Sequence, residues 1–158
     1  MAGAVSAQAI ARLQAALAAE QAACYGYGVV GAYLSGSAAA RADSDWVAHE
    51  LARDSLSAAI TAAGADPVPA AVAYQMPIQV RSAVQAVALA VILEQRVAEA
   101  YIGLVGLNDL TLRALGARQI RGAALRATTW SHATAAFPGL PGSSLSAPGS
   151  TRAISEPG

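Results

Sequence analysis

One short pattern occurs twice in this chain and decides its fold. It reads Leu17-x-x-Glu20-Gln21 with Tyr27 seven residues after the glutamate, and again Val91-x-x-Glu94-Gln95 with Tyr101. Both glutamates fall midway along alanine-rich stretches, in line with apolar residues that recur every three or four positions, as on one face of a helix. A carboxylate buried on such a face is costly unless it is paired, hydrogen-bonded or metal-bound. The two glutamates are therefore the best guide to the architecture and to any chemistry.

Apolar stripes and end signals predict four helices, at about 6–34, 43–64, 77–106 and 109–137. Asp43-Ser44-Asp45 are typical N-cap residues, and Gly64 suits the position just after a helix end. Pro77 fits a first helical turn, whereas Pro138 stops the last helix.

The lengths of the connections predict how the helices are joined. Short links join the first two and the last two helices, which is typical of antiparallel hairpins. The middle link, about residues 65–76, can extend to about 40 Å at roughly 3.3 Å per residue. That length is enough to return along a helix of about 25 residues, which is about 38 Å long. We therefore predict an all-α fold, a ferritin-like four-helix bundle of two antiparallel hairpins joined by a long crossover. The bundle should occupy residues 1–137, followed by a flexible tail rich in Pro, Gly and Ser over 138–158.

Composition excludes several classes of protein. The chain is 55% apolar but only 5% aromatic, which favours closely packed helices over a β-sandwich. Ten positive charges, all arginine, balance ten acids, so nothing predicts a nucleic-acid partner. The longest apolar run, residues 86–93, is too short to span a membrane, and no secretory signal is recognisable. We expect a cytoplasmic protein, and its one cysteine, Cys24, cannot form an internal disulfide.

The glutamates raise the question of metal binding. Ferritin-like di-metal sites take one glutamate from each of two helices and a Glu-x-x-His pair from each of the other two. Glu20 and Glu94 match the single-glutamate positions. The second helix, however, offers only Glu50-x-x-Arg53 or Trp46-x-x-His49, and the fourth offers Ala127-x-x-Trp130 with neither ligand.

Three interpretations follow. In the first, Arg53 pairs with the glutamates, Trp130 fills the remaining space and no cofactor is bound; the expected buried polar cluster is then Glu20, Arg53, Glu94, Tyr27 and Tyr101. In the second, Glu20, Glu50, His49 and Glu94 bind iron or manganese. In the third, a small-ligand pocket has Tyr27, Tyr74 and Tyr101 at its edge.

These residues carry a family resemblance. The stretch from Leu13 to Gly28, His49 with Arg53-Asp54, the proline-rich link with Tyr74, Leu93-Glu94 with Tyr101, and Trp130 together resemble a bacterial ferritin-like domain family of uncharacterised function. The resemblance covers about residues 13–130 and implies the bundle fold. It supplies no activity, and the missing ligands in the second and fourth helices count against ferroxidase activity.

We therefore predict a non-catalytic binding or structural bundle with a degenerate di-metal site. The alternative is a di-iron or di-manganese carboxylate protein with ferroxidase or oxidoreductase activity. Low charge and high apolar content predict a homodimer. Leu140 and Leu145 in the tail suggest a docking segment for a protein partner.

Overall fold

A computed structural model describes residues 5–132 of the chain. These residues form four α-helices and no strand: α1 is Ala7–Ala32, α2 is Gly36–Ala62, α3 is Ala83–Val105 and α4 is Leu110–Ser131. The predicted all-α four-helix bundle is confirmed. Within the described part of the chain, no helix combines the length and the apolar character needed to cross a bilayer.

The helices pack in the order α2, α1, α3, α4, with α1 and α3 as the central pair. Two apolar clusters occupy the two ends of the bundle. The first contains Leu13 from early α1 with Ile60 and Leu104 from the ends of α2 and α3. The second contains Val30 from late α1 with Ala42 and Leu89 from the starts of α2 and α3. Helices α2 and α3 therefore run in the same direction, and both run opposite to α1.

The link between α2 and α3 follows the bundle from one end to the other. Val68 packs against the first apolar cluster, whereas Val80 belongs to the second. Two α1 side chains hold the beginning of the link. Gln14 accepts a hydrogen bond from the Val68 amide at 2.8 Å and donates to the Asp66 carbonyl at 2.6 Å, while Gln21 donates to the Val68 carbonyl at 2.8 Å.

Two helix starts differ from the predicted ones. Helix α2 begins at Gly36, seven residues before Asp43, because the turn at residues 33–35 is enough to reverse the chain. Helix α3 begins at Ala83 rather than at Pro77, because the Ser82 hydroxyl caps it by accepting from the Gln85 amide. Asp109 caps α4 by accepting from the Thr111 and Leu112 amides, close to the predicted start of that helix. The predicted helix end at residue 137 and the tail lie outside the described residues.

One glycine of α1 allows a close approach to α3. A Cβ at Gly26 would lie 2.6 Å from Cδ1 of the buried Leu93, whereas a Cβ at Gly28 would meet nothing within 4 Å.

Gly26→Ala should therefore destabilise the protein by roughly 1–3 kcal/mol through overpacking. Gly28→Ala should stabilise it by roughly 0.5–1 kcal/mol, because alanine is the better helix former. Urea unfolding of both variants measures the difference, and equal changes would show that Leu93 moves aside freely.

Candidate functional site

Four buried polar side chains lie between the two apolar clusters. Glu20 of α1, His49 of α2 and Glu94 of α3 are each no more than 1% exposed, and Gln21 is 9% exposed. The two glutamates, which come from equivalent parts of the repeated pattern, are thus both inside the bundle. Burial of two carboxylates this deep demands compensating charge and hydrogen bonds.

The tyrosines of the repeat exchange hydrogen bonds across α1 and α3. Tyr27 of α1 donates to Oε1 of Glu94 on α3 at 2.6 Å. Tyr101 of α3 donates to Oε1 of Glu20 on α1 at 2.8 Å. Burial first, and then the adjacent carboxylate, raise the pKa of both phenols well above its usual value, so both remain protonated donors. The tyrosine of each helix therefore donates to the glutamate of the other helix, and the two hydrogen bonds are reciprocal.

His49 bridges the two glutamates. Its Nδ1 lies 2.6 Å from Oε2 of Glu20, and its Nε2 lies 3.0 Å from Oε1 of Glu94. An ionised carboxylate can only accept, so both ring nitrogens must carry hydrogens for both bonds to form. The geometry thus calls for an imidazolium. Burial alone would lower the pKa of His49, but hydrogen bonds and charge from Glu20 and Glu94 outweigh it and raise that pKa to about 9.

Helix α4 contributes a second cation. Nε of Arg126 donates to Oε1 of Glu94 at 2.9 Å, and the arginine side chain is 19% exposed. One turn further on, the buried Trp130 indole donates to Oδ2 of Asp45 at 2.9 Å and to the Tyr27 hydroxyl at 3.1 Å. Two carboxylates at the centre, Glu20 and Glu94, are therefore balanced by two cations, His49 and Arg126. Asp45 of α2 extends the network towards the surface.

The two oxygens of Glu94 differ sharply. Oε1 accepts from Tyr27, His49 and Arg126, whereas the buried Oε2 has no hydrogen-bond partner among residues 5–132. Burial would raise the pKa of Glu94, but the hydrogen bonds and charges of His49 and Arg126 overcome it and hold the pKa below its usual value. Glu94 is therefore ionised, and its Oε2 can still accept a hydrogen bond.

The prediction that Arg53 pairs with the buried glutamates is wrong. Arg53 lies near the surface with 32% of its side chain exposed; its Nε donates to Asp54 at 2.8 Å and its NH1 to Glu50 at 3.4 Å. His49, not Arg53, reaches the bundle centre from α2, because it lies on the buried line that contains Ala52 and Leu56. Of the predicted polar cluster, Glu20, Glu94, Tyr27 and Tyr101 lie together at the bundle centre, whereas Arg53 lies outside it.

The candidate metal ligands are also divided. Glu20, His49 and Glu94 converge, but Glu50 is 31% exposed and bonds to Arg53 instead. Within residues 5–132, no three His, Cys, Asp or Glu side chains are grouped so as to hold a metal ion. The Arg126 guanidinium on Glu94 also opposes a dication at this point, since like charges repel. The donor set of the described residues therefore does not fit a ferritin-like di-metal centre.

Tyr74 is not part of this site. It lies in the link, where its hydroxyl accepts from the Ala71 amide at 3.0 Å and reaches Gln21 at 3.5 Å. Its ring packs against Tyr25 with centroids 5.5 Å apart. The three tyrosines proposed to edge a ligand pocket thus separate into a buried pair, Tyr27 and Tyr101, and a half-buried residue of the link, Tyr74.

Sequence reasoning missed two members of the network, Asp45 and Arg126. The sequence places Asp45 among the caps of the second helix, but Asp45 lies inside α2. Arg126 is four residues before Trp130, so both lie on the same side of α4. This four-residue spacing was the sequence feature that could have identified Arg126 as a member of the network.

The comparisons with known proteins identify a family. Residues 12–142 match the family described as a domain of unknown function, DUF4439. The chain belongs to this family. The DUF4439 chain is also similar to a solved structure, the crystal structure of a conserved hypothetical protein, rv2844, from Mycobacterium tuberculosis. The two share 32% sequence identity over 81% of this chain and 98% of that chain, with a TM-score of 0.77. No curated protein matches this DUF4439 chain at a significant level.

The two arginines that compete for the role of buried cation can be compared directly. Arg126→Ala should cost on the order of 3 kcal/mol, because it removes one partner of a buried ion pair. Arg53→Ala should cost less than about 1 kcal/mol, because its pairs are at the surface. Denaturant unfolding of both variants at neutral pH measures the two losses. A larger loss for Arg53→Ala would contradict the assignment of Arg126 as the cation of the centre.

The stability of this DUF4439 protein should depend on pH through His49. Its folded-state pKa of about 9 exceeds the unfolded value of 6.5, so its contribution is complete below about pH 6.5 and is lost as pH rises through about 9. The free energy of unfolding should fall by on the order of 3 kcal/mol across that interval. His49→Gln should flatten this slope, whatever its effect on absolute stability. Burial raises the pKa of Cys24 to about 11, so this thiol adds to the fall only near pH 9, where it begins to ionise in the unfolded chain.

Proposed function

We propose that this chain is a ferritin-like bundle with a binding or structural role and no catalytic one. In this proposal, a network of His49, Arg126 and two glutamates takes the place of a di-metal site. One observation carries it: both ring nitrogens of His49 are engaged by the carboxylates that would otherwise bind metal.

The charge balance of the centre supports the proposal. A di-metal site uses carboxylates because they neutralise the metal charge. Here the imidazolium of His49 and the guanidinium of Arg126 already neutralise Glu20 and Glu94. Entry of a dication would require His49 to lose a proton and Arg126 to leave Glu94.

The fourth helix supports it too. A ferritin-like metal centre needs a carboxylate and an imidazole from this helix. Helix α4 instead places Arg126 and Trp130 towards the centre, and contains neither Asp, Glu nor His between Leu110 and Ser131. An arginine and an indole are both hydrogen-bond donors, so they satisfy the carboxylate oxygens but cannot bind a metal.

The alternative, a di-iron or di-manganese carboxylate protein, is favoured by a single observation. In the part of the chain that the structure describes, Oε2 of Glu94 is buried and has no hydrogen-bond partner, and such an oxygen can accept a cation or a water molecule.

Metal analysis separates the two functions. Protein produced with iron and manganese available should carry well under one metal per chain, and added Mn²⁺ should leave its Tm unchanged, since a ligand raises Tm only by binding the folded state. Arg126→Glu serves as the matched variant, because it replaces the opposing cation with a carboxylate. We expect a Mn²⁺-dependent rise in Tm in that variant only. Two metals per native chain would establish the alternative.

A further inference from the structure

Helices α2 and α4 each keep a leucine largely in solvent. Leu51 of α2 is 65% exposed and Leu125 of α4 is 59% exposed. Each lies on the side of its helix away from the buried residues, which are His49 and Leu56 on α2 and Ala123 and Trp130 on α4. Single exposed leucines need no explanation. What needs an explanation is that the two leucines lie at the same position along the bundle axis, on helices of opposite charge.

The contact between Asp45 and Trp130 fixes the relative height of α2 and α4, which run in opposite directions. Leu51 is six residues from Asp45, and Leu125 is five residues from Trp130, towards the same end of the bundle. At about 1.5 Å per residue, the two leucines lie at nearly the same level. Asp54 and Arg121 are each nine residues from this contact, so they also share a level.

The two helices carry opposite charge. Helix α4 has four arginines and no acid. Arg126 is used inside the bundle, whereas Arg113, Arg118 and Arg121 are exposed, and no acidic side chain in residues 5–132 forms an ion pair with them. Helix α2 has four acids against two arginines; the acids are Asp43, Asp45, Glu50 and Asp54.

We propose that the outward faces of α2 and α4, called the α2/α4 face below, form an interface with a second copy of this chain. A two-fold axis parallel to the helices places α2 of each protomer antiparallel against α4 of its partner, with heights unchanged. Leu51 then meets the partner's Leu125, and Asp54 lies level with the partner's Arg121. Each contact occurs twice.

The self-complementarity of the face points to a second copy as the occupant. An isologous dimer needs acidic and basic partners at matching heights on the same surface, and α2 and α4 supply both. An anionic membrane or an acidic protein would match α4 alone and would leave the exposed Leu51 and the net negative charge of α2 without a partner. The proposal is independent of whether the bundle centre binds metal.

Cysteine cross-linking tests the pairing. In a background with Cys24→Ala, one chain carries Leu51→Cys and a second carries Leu125→Cys. Under mild oxidation, the mixture of the two should give a disulfide-linked dimer in high yield, whereas each variant alone should give little. Efficient cross-linking of Leu51→Cys with itself would overturn the proposed pairing, and so would the absence of any cross-linked species in the mixture.

Charge reversal provides a second, reversible measurement. Arg121→Glu should raise the dimer dissociation constant by about tenfold or more, because it places two acids at one level. Combining it with Asp54→Arg in the same chain should restore much of the affinity, because the two charges are exchanged. Reversal at the exposed Arg81, outside the face, should change nothing. Sedimentation measures all four proteins, and a native chain that remains monomeric at high concentration, or a dimer indifferent to Arg121→Glu, would refute the α2/α4 interface.

Discussion

The rest of this structure depends on the bridge from His49 to two buried glutamates. Glu20 and Glu94 come from the two central helices and face each other across the middle of the bundle. Without a cation between them, one would have to hold a proton or turn to solvent. The imidazolium removes that need and ties α2 to both central helices. Arg126 and Trp130 complete the arrangement from α4, so each helix contributes to one continuous network.

The reciprocal hydrogen bonds of the tyrosines explain why the glutamate pattern occurs twice. Each tyrosine lies seven residues, or two turns, after a glutamate of its own helix, yet serves the glutamate of the other helix. This is possible because α1 and α3 run in opposite directions, so that a step of two turns on one helix returns to the level of the other's glutamate. The repeat thus encodes an antiparallel pair with an approximate two-fold relation.

Much of the fold could be predicted from the sequence, but the partners of the glutamates could not. The stripes through Glu20 and Glu94 and the long link between the second and third helices were sufficient for four helices. Choosing between His49 and Arg53 requires knowing how α2 is rotated about its own axis. The two residues are four positions apart, so their side chains differ in direction around the helix by only about 40°. Arg126 was harder still to predict, because its long side chain reaches the centre from a position on α4 that is only partly buried. The start of α2 was missed because acidic residues inside a helix resemble a cap.

The hold of Gln14 and Gln21 on the link has a consequence for how this fold can vary. Both the amide and the carbonyl of Val68 are hydrogen-bonded to side chains of α1, so the first part of the crossover is held against that helix. A few residues later, Val72 is fully exposed. Insertions and deletions are tolerated where the backbone is free of such bonds. The crossover therefore divides into a segment that is anchored to α1 at Val68 and a loop near Val72, where changes in length should leave the centre of the bundle undisturbed.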